Sequence, residues 1–316
     1  MVVPEVISLT PAQSLGIPVA LIGSVFLALG AQLQHRGVAQ VEEASSRQQH
    51  VTTSDTSGLS VRQLLALVRR PPWVIGTLML GLAIVLQLTS LYLAPLTVVQ
   101  PLGAVALVIT AVVNARVTHT RLDAKSIGAI VLCVGGVGLF VTIAALTTAS
   151  RPIRDAQLTI VLIVLASVLA ILAVFFLTMR HRFTATAYIV AAGVLFGFVA
   201  TLAKVVIDRV HTLFEFGFHL MPADWLTIVC VVALVVAALS GSYFVQTAYA
   251  SGPPDLVVAG LTVIDPLVGV SIGIVVLGEA TGAPLWAVFA FIISGIVAIY
   301  GVFQLARHHP QAVHVG

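Results

Sequence analysis

The sequence predicts an all-α membrane protein with about nine transmembrane helices, and three observations support this. Hydrophobic residues make up 59% of the 316 residues and charged residues only 9%, whereas a soluble domain carries roughly 25% charged residues. Uncharged stretches recur that are long enough for helices of about 20 residues, the length that crosses a bilayer. Lys and Arg collect in alternate connecting segments. No basic cluster lies on a folded domain outside these stretches, which excludes nucleic acid as a partner.

Nine spans follow from the uncharged stretches when Pro95 divides the longest one, residues 71–115. Numbered span 1 to span 9 in chain order, they are predicted at 14–35, 73–94, 96–115, 126–148, 157–179, 184–208, 224–249, 255–277 and 284–305. Cys133 and Cys230 fall inside spans, so we expect small buried side chains rather than a disulfide or metal pair. The cytoplasmic segment 41–58 is rich in Ser, Thr and Gln and is expected to be disordered.

Basic residues orient the chain. The segments after spans 1, 3 and 5 and the C-terminal tail carry eleven Lys and Arg residues, and the segments on the opposite side carry three. Because basic loops stay in the cytoplasm, we predict a multi-pass protein of the cell (inner) membrane with its N-terminus outside and its C-terminus in the cytoplasm. Residues 1–13 hold no Lys or Arg, so they do not resemble a signal peptide.

A seven-residue element occurs twice. LTVVQPL at residues 96–102 in span 3 returns as LTVIDPL at residues 261–267 in span 8. Weaker likenesses relate span 1 to span 6 and span 4 to span 9, so residues 14–148 are predicted to repeat as residues 184–305, with span 5 at 157–179 as a connector helix. Span 6 starts on the opposite side of the membrane from span 1, which makes the copies inverted. Inverted four-helix repeats are typical of secondary transporters, which bind substrate near the midplane between the repeats.

The element places a proline inside an apolar span. Pro101 and Pro266 each remove a backbone N–H and bend their helix, which frees the carbonyl oxygens of Thr97 and Thr262. A free carbonyl in hydrocarbon needs a hydroxyl, a water or a cation as partner. We therefore predict that the prolines are bending or gating residues and that Thr97 and Thr262 contribute to a substrate site.

A polar residue precedes each proline: Gln100 in the first copy and Asp265 in the second. An intramembrane carboxylate costs about 2.5–3.5 kcal/mol to insert and marks a functional site by default. We predict that Asp265 and Gln100 bind substrate and that Asp265 is the candidate metal ligand. The alternative is that Asp265 is neutral and bonded to a neighbouring side chain.

Three further polar side chains lie in or beside the spans. Gln87 in span 2 is expected to face the bundle, where it lines a path or bonds another helix. Lys204 in span 6 either binds substrate or extends to the membrane interface. Glu279 at the end of span 8 either gates the path or caps a helix. No group of His, Asp and Glu suggests catalysis, so an enzyme is not predicted.

The stretch LYLAPLTVVQPLGAVALVITAVVNARVTHTRL, residues 91–122, resembles the core signature of the NIPA-type magnesium transporters, a branch of the drug/metabolite transporter (EamA-like) superfamily. GAQLQHRGV at the end of span 1 is similar to another segment of that branch, Lys204 resembles a lysine in its corresponding helix, and LGE at 277–279 is similar to a motif of the superfamily. The resemblance implies a transporter of nine helices with Mg²⁺ as substrate. VTHTRL stands where the family has a carboxylate motif in its first half, so that carboxylate is absent here.

Three function classes remain. A secondary transporter that rocks one repeat against the other accounts for the repeats and the bends. An accessory or structural subunit would merely tolerate Asp265, and a lipid-acting enzyme would need a catalytic cluster. Oxygen ligands suit Mg²⁺, whereas Lys204 suits an anionic or zwitterionic metabolite, so both substrates stay open. We expect no cofactor, and we expect the lipid bilayer and a small solute or divalent cation as partners, with a homodimer left open.

Overall fold

The computed structural model describes residues 10–48, 70–117, 124–150, 153–179, 184–216, 224–252 and 254–308. Within these ranges nine helices are long and apolar enough to cross a membrane, which confirms the predicted all-α, polytopic membrane fold. After a single turn at Pro11–Ser14, the helices are α1 (Gly16–Gln48), α2 (Pro71–Leu93), α3 (Leu96–Leu102), α4 (Ala104–Val117), α5 (Ala124–Thr147), α6 (Asp155–Met179), α7 (Ala185–Phe216), α8 (Asp224–Ser251), α9 (Pro254–Val275) and α10 (Leu285–His308). Together α3 and α4 form span 3, and each other span is one helix.

The helix of span 1 continues well beyond its apolar part. It ends at Gln48, so the expectation that segment 41–58 is disordered is wrong for residues 41–48. Extending an existing helix avoids the costly nucleation that an isolated segment needs, and Glu42, Glu43 and Ala44 are good helix formers. Residues 49–58 lie outside the described ranges.

Spans 1 and 2 pack closely because glycine recurs at every seventh residue of span 1. These glycines are Gly16, Gly23, Gly30 and Gly37. Seven residues are close to two helical turns, so the glycines share one face of the helix. A Cβ added to Gly30 would lie only 3.0 Å from the carbonyl oxygen of Gly76 in span 2. Small residues permit the close backbone approach that stabilises helix pairs in lipid.

Spans 4 and 9 cross at two contacts that mirror each other. A Cβ added to Gly136 would lie 2.5 Å from the backbone nitrogen of Ala298, and one added to Gly301 would lie 2.4 Å from that of Cys133. Ala298 follows Cys133 by 165 residues, and Gly301 follows Gly136 by 165, which is also the separation of the two seven-residue elements. When each residue is replaced by its counterpart 165 positions away, the Gly136–Ala298 contact becomes the Gly301–Cys133 contact, and the reverse also holds. A two-fold axis between inverted copies would produce this pattern, although the division into repeats stays a prediction.

Span 5 lies at the edge of the bundle. Only 11% of its apolar window is buried, against 67% for span 6. Polar contacts hold one end of it to the second half of the chain: Gln157 Nε2 donates to the carbonyl oxygens of Val276 (3.1 Å) and Leu277 (3.0 Å), and Asp155 forms an ion pair with Arg209. A peripheral helix held in this way suits the predicted role of a connector.

The nine spans within the described ranges are an odd number, so we expect the two chain ends on opposite sides of the membrane. We expect a C-terminal fluorescent-protein fusion to fluoresce in the cytoplasm and an N-terminal tag on intact spheroplasts to be accessible to protease, because basic residues favour that orientation. A protease-protected N-terminal tag would contradict the prediction and reverse the assignment of every loop.

Candidate functional site

The first copy of the repeated element packs against span 8, just beyond the second copy. The first copy is the whole of α3, and the second lies within span 8. Glycines of span 8 allow the close approach: a Cβ added to Gly269 would lie 2.8 Å from Nε2 of Gln100, and one added to Gly273 would lie 3.1 Å from Oγ1 of Thr97. The first copy therefore contacts the turns of span 8 that directly follow the second copy.

Gln100 and Asp265 each keep one buried polar atom without a hydrogen-bond partner among the described residues. These atoms are Nε2 of Gln100 and Oδ1 of Asp265, and Gln100 is only 5% exposed. Asp265 lies one helical turn before Gly269, and the side-chain amide of Gln100 packs against Gly269. Buried polar groups in native proteins almost always have partners, and in hydrocarbon the need is stronger. Each atom needs a ligand or water of its own kind: Nε2 of Gln100 needs an acceptor, and Oδ1 of Asp265 needs a donor or a cation.

A cavity of about 80 Å³ lies beside the prolines, between spans 3, 4, 8 and 9. Pro101 and Pro266 both line it, as do Val137 and Val302, and the members of each pair are again 165 residues apart. Thr262 also lines the cavity, but its hydroxyl donates to the carbonyl of Val258 in its own helix at 2.7 Å. The lining includes neither Gln100 nor Asp265 and is otherwise apolar, so this cavity offers little to a cation.

The junction between span 2 and α3 is buried, and a lysine satisfies one side of it. Ala94 and Leu96 are both 0% exposed. The end of a helix leaves carbonyl groups without intrahelical partners, and inside a membrane these groups need others. Lys204 of span 6 supplies them, since its Nζ donates to the carbonyl oxygens of Leu91 at 2.7 Å and Ala94 at 2.8 Å.

Glu279, in the segment between spans 8 and 9, binds the other side of the junction. Its Oε1 accepts the N–H of Leu96 at 2.7 Å, and its Oε2 accepts the N–H of Thr97 at 2.8 Å and the Thr97 hydroxyl at 2.6 Å. The N–H of Glu279 itself donates to the carbonyl of Gly273 at 3.0 Å. A carboxylate thus lies at the start of α3 and an ammonium at the end of span 2, the signs that the two helix dipoles favour.

The predicted site residues therefore fall into two groups. Gln100 and Asp265 are the two with buried atoms that lack partners where α3 and span 8 pack, and three more hold the junction: Thr97, Lys204 and Glu279. The residues of span 6 that pack opposite the backbone of Asp265 are Gly193 and Gly197. They precede Lys204 by 11 and 7 residues, which is about 16 and 10 Å along a helix. Lys204 accordingly lies at a different level of the bundle from Asp265.

The other predicted residues have separate environments. Gln87 is half-buried where span 2 packs against Gly23 of span 1. The helical hydrogen bonding is interrupted at Gly103, just after Pro101, although Gly103 keeps right-handed helical dihedral angles (φ −58°, ψ −31°). The helix of span 8, in contrast, continues through Pro266 to Val275. The two prolines therefore do not have the same effect on their helices.

Sequence reasoning missed a second contact between span 2 and span 6. The hydroxyl of Tyr92 lies 2.9 Å from Nε2 of His211, and the two rings contact each other at a tilt of 41° with their centroids 4.8 Å apart. His211 follows Lys204 by seven residues, with Asp208 between them, so the three side chains share one helix face. This spacing was the available signal, but it did not indicate Tyr92 as the partner.

The described part of the chain contains no group of three or more His, Cys, Asp or Glu side chains that could hold a metal ion. A cation at Asp265 would therefore complete its shell with amide or carbonyl oxygens or with water. Mg²⁺ retains several waters in such sites, often with only one or two carboxylates.

No family model matches the chain, and no solved structure matches it. The chain is similar to an uncharacterised protein of Corynebacterium glutamicum, with 26% identity over 292 residues that cover 91% of this chain and 93% of that protein. The description of that relative names no activity, so the resemblance to magnesium transporters stays a prediction.

Proposed function

We propose that this protein is a secondary transporter that moves a small polar solute or Mg²⁺ across the membrane through a site at Gln100 and Asp265. One observation carries the proposal: α3 packs against span 8 close to the second copy of the element, and each copy keeps one buried polar atom without a partner among the described residues, the amide nitrogen of Gln100 and a carboxylate oxygen of Asp265. Membrane transporters of inverted-repeat architecture bind their substrates between the repeats, near the midplane.

The mechanism follows from the mirrored contacts. Spans 4 and 9 meet through Gly136 and Gly301, where backbones touch with no side chain between them. Such a contact would serve as the axis about which one half rocks against the other. Because α3 and span 8 come from different halves, rocking would open the space beside Gln100 and Asp265 alternately to the two sides of the membrane.

The chemistry of the two atoms restricts the solute. Oδ1 of Asp265 accepts a hydrogen bond or attracts a cation, and Nε2 of Gln100 donates to an oxygen atom. A hydrated Mg²⁺ fits, and so does a small metabolite with an ammonium or hydroxyl group beside an oxygen. Lys204 opposes a cation less than its sequence position suggests, since it lies about 10–16 Å along the helix from the level of Asp265 and binds two carbonyl oxygens.

A non-transporting accessory subunit is the second candidate. An accessory role does not require the two buried polar atoms without partners, Nε2 of Gln100 and Oδ1 of Asp265. Two hydrophobic side chains at these positions would give a more stable fold. We therefore favour transport. A lipid-acting enzyme has less support, because the described residues hold no metal-ligating cluster.

Flux measurements with the purified protein in liposomes test the proposal. We expect saturable uptake of Mg²⁺, reported by an enclosed magnesium dye, or saturable counterflow of one class of metabolite from a panel of amines, amino acids and polyols. Vesicles without protein provide the control. Uptake that rises linearly with concentration for Mg²⁺ and for every metabolite of the panel, as in the control vesicles, would contradict a transport function for this site.

A further inference from the structure

We propose that Lys204 and Glu279 form a latch that holds one end of the bundle closed and so decides which side of the membrane the site faces at rest. The junction latch consists of these two side chains and the groups they bind at the end of span 2 and the start of α3. The consequence for substrate access rests on the proposed transport function, whereas the latch is a statement about conformation and can be tested without a substrate.

The latch joins the two halves of the chain. Both charged residues come from the second half, and every group that their side chains bind belongs to the first half. Two hydrogen bonds leave Lys204 and three reach Glu279. Each involves an ionised group, which makes it about twice as strong as a neutral hydrogen bond. Separating the halves at this end must break all five.

Burial gives the latch two discrete states. Lys204 is 1% exposed and Glu279 is 4% exposed. A buried ion that loses its partners and gains no water is strongly destabilised, so a partly separated latch is unfavourable. The five hydrogen bonds exchange for water only when this end opens completely. Bistable contacts of this kind set the end states of conformational switches.

The latch also reaches the site. Thr97, which bonds Glu279 through both its N–H and its hydroxyl, precedes Gln100 by less than one turn of α3. Gly273 of span 8 lies against both partners, since a Cβ there would be 2.8 Å from Oε2 of Glu279 and 3.1 Å from Oγ1 of Thr97. Displacing Glu279 therefore frees the start of α3, and Gln100 moves with it.

The positions that correspond to the latch in the first half are uncharged. Asn114 precedes Glu279 by 165 residues, and Gln34 ends the segment 23–34 of span 1 that resembles 193–204 of span 6, where Lys204 is the last residue. Gln34 donates to the hydroxyl of Thr77 at 3.0 Å, and both residues belong to the same half. Among the described residues, a buried lysine and glutamate of this kind hold the junction end of the bundle and have no charged counterparts at the corresponding positions of the first half. The resting protein is therefore closed at the junction end.

Cysteine labelling tests the latch. The native Cys133 and Cys230 are first replaced by alanine, and Thr148→Cys is introduced as reporter. Thr148 is 0% exposed, and its neighbour Ala149 donates its N–H to the carbonyl of Glu279. In liposomes without substrate, we expect Glu279→Gln or Lys204→Gln to raise the rate of labelling by an impermeant maleimide about tenfold or more, because several charge-assisted bonds are lost.

A milder variant keeps the test decisive if those variants do not fold. Thr97→Val removes one hydrogen bond and should raise the rate about threefold, the effect of a typical interhelical hydrogen bond in a membrane. Thr89→Val, the same change in span 2, should leave the rate unchanged, because that exposed hydroxyl donates to the carbonyl of Val85 within its own helix. Ser126→Cys, at the opposite end of span 4, separates latch release from general loosening, since only loosening would raise its labelling too.

Two outcomes would overturn the latch. One is a parental labelling rate at Thr148→Cys in both Thr97→Val and whichever of the charge variants folds. The other is an equal rise at Thr148→Cys and Ser126→Cys, which would make the two charges structural only. Neither outcome depends on flux, so a failure of the latch and a failure of the transport proposal are distinguishable.

Discussion

Replacing Gly136 with valine is expected to remove most of the folded protein, whereas the same change at the adjacent Gly135 is expected to be tolerated. A Cβ at position 136 would lie 2.5 Å from the nitrogen and 2.7 Å from the Cα of Ala298, while a Cβ at position 135 meets nothing within 4 Å. The backbone atoms of Ala298 cannot move away from the added Cβ as the end of a flexible side chain could. Spans 4 and 9 would therefore have to separate along their contact. Overpacking of this kind costs about 1–3 kcal/mol and occasionally more, a large part of the stability of about 5–15 kcal/mol that proteins typically have.

Size-exclusion chromatography of fluorescent-protein fusions in mild detergent measures the effect as the fraction of monodisperse protein. Gly135→Val is a close control because both changes replace a glycine with the same β-branched residue in the same helix, so the change in helix propensity is the same. The mirrored contact predicts a matching pair in span 9: Gly301→Val should fail and Gly295→Val should be tolerated, since a Cβ at 295 also meets nothing within 4 Å. Equal recovery of Gly135→Val and Gly136→Val would show that the two spans do not meet as described.

The spans were predictable from the sequence because a bilayer imposes its own length on them. The ends of an apolar run of the required length therefore largely determine where the helix begins and ends. Pro95 divided the longest run correctly, since α2 ends at Leu93 and α3 begins at Leu96. The prediction was wrong at 41–48 because these residues lie beyond the apolar run. Outside the bilayer, helix length depends on propagation and propensity rather than on hydrophobicity.

The partners of the charged residues were not predictable. Glu279 lies 182 residues from Thr97 in the chain, and the sequence left capping and gating as equal alternatives. The structure assigns the cap to α3, because the segment after span 8 passes over the start of that helix. Lys204 was expected either at the substrate or at the interface; in the structure it is buried and binds two carbonyl oxygens of the junction, and its part in substrate binding stays a prediction. Such assignments depend on which helix ends lie inside the bundle, and one sequence does not contain that information.

Replacing Asp265 with asparagine is expected to abolish most transport while the protein stays folded. The substitution keeps the shape of the side chain and its ability to accept a hydrogen bond, but it removes the charge. A cation would lose the one carboxylate of the proposed site, and its flux should fall by about tenfold or more, since hydrogen bonds to charged groups contribute about 1.5–3 kcal/mol. A neutral solute would lose only the difference between two acceptors, and its flux should fall a few-fold. The size of the loss therefore distinguishes the two kinds of substrate.

Two matched variants complete that experiment. Gln100→Leu removes the neutral partner and should reduce flux by about threefold, since interhelical hydrogen bonds in membranes average about 0.6 kcal/mol. Asp155→Asn removes a carboxylate from the surface, where Asp155 is 57% exposed and paired with Arg209. Exposed pairs contribute little, so flux should remain at the parental level. If Asp265→Asn also transports at the parental rate, Asp265 does not bind the solute, and the repeated element packs the two halves together without forming the site.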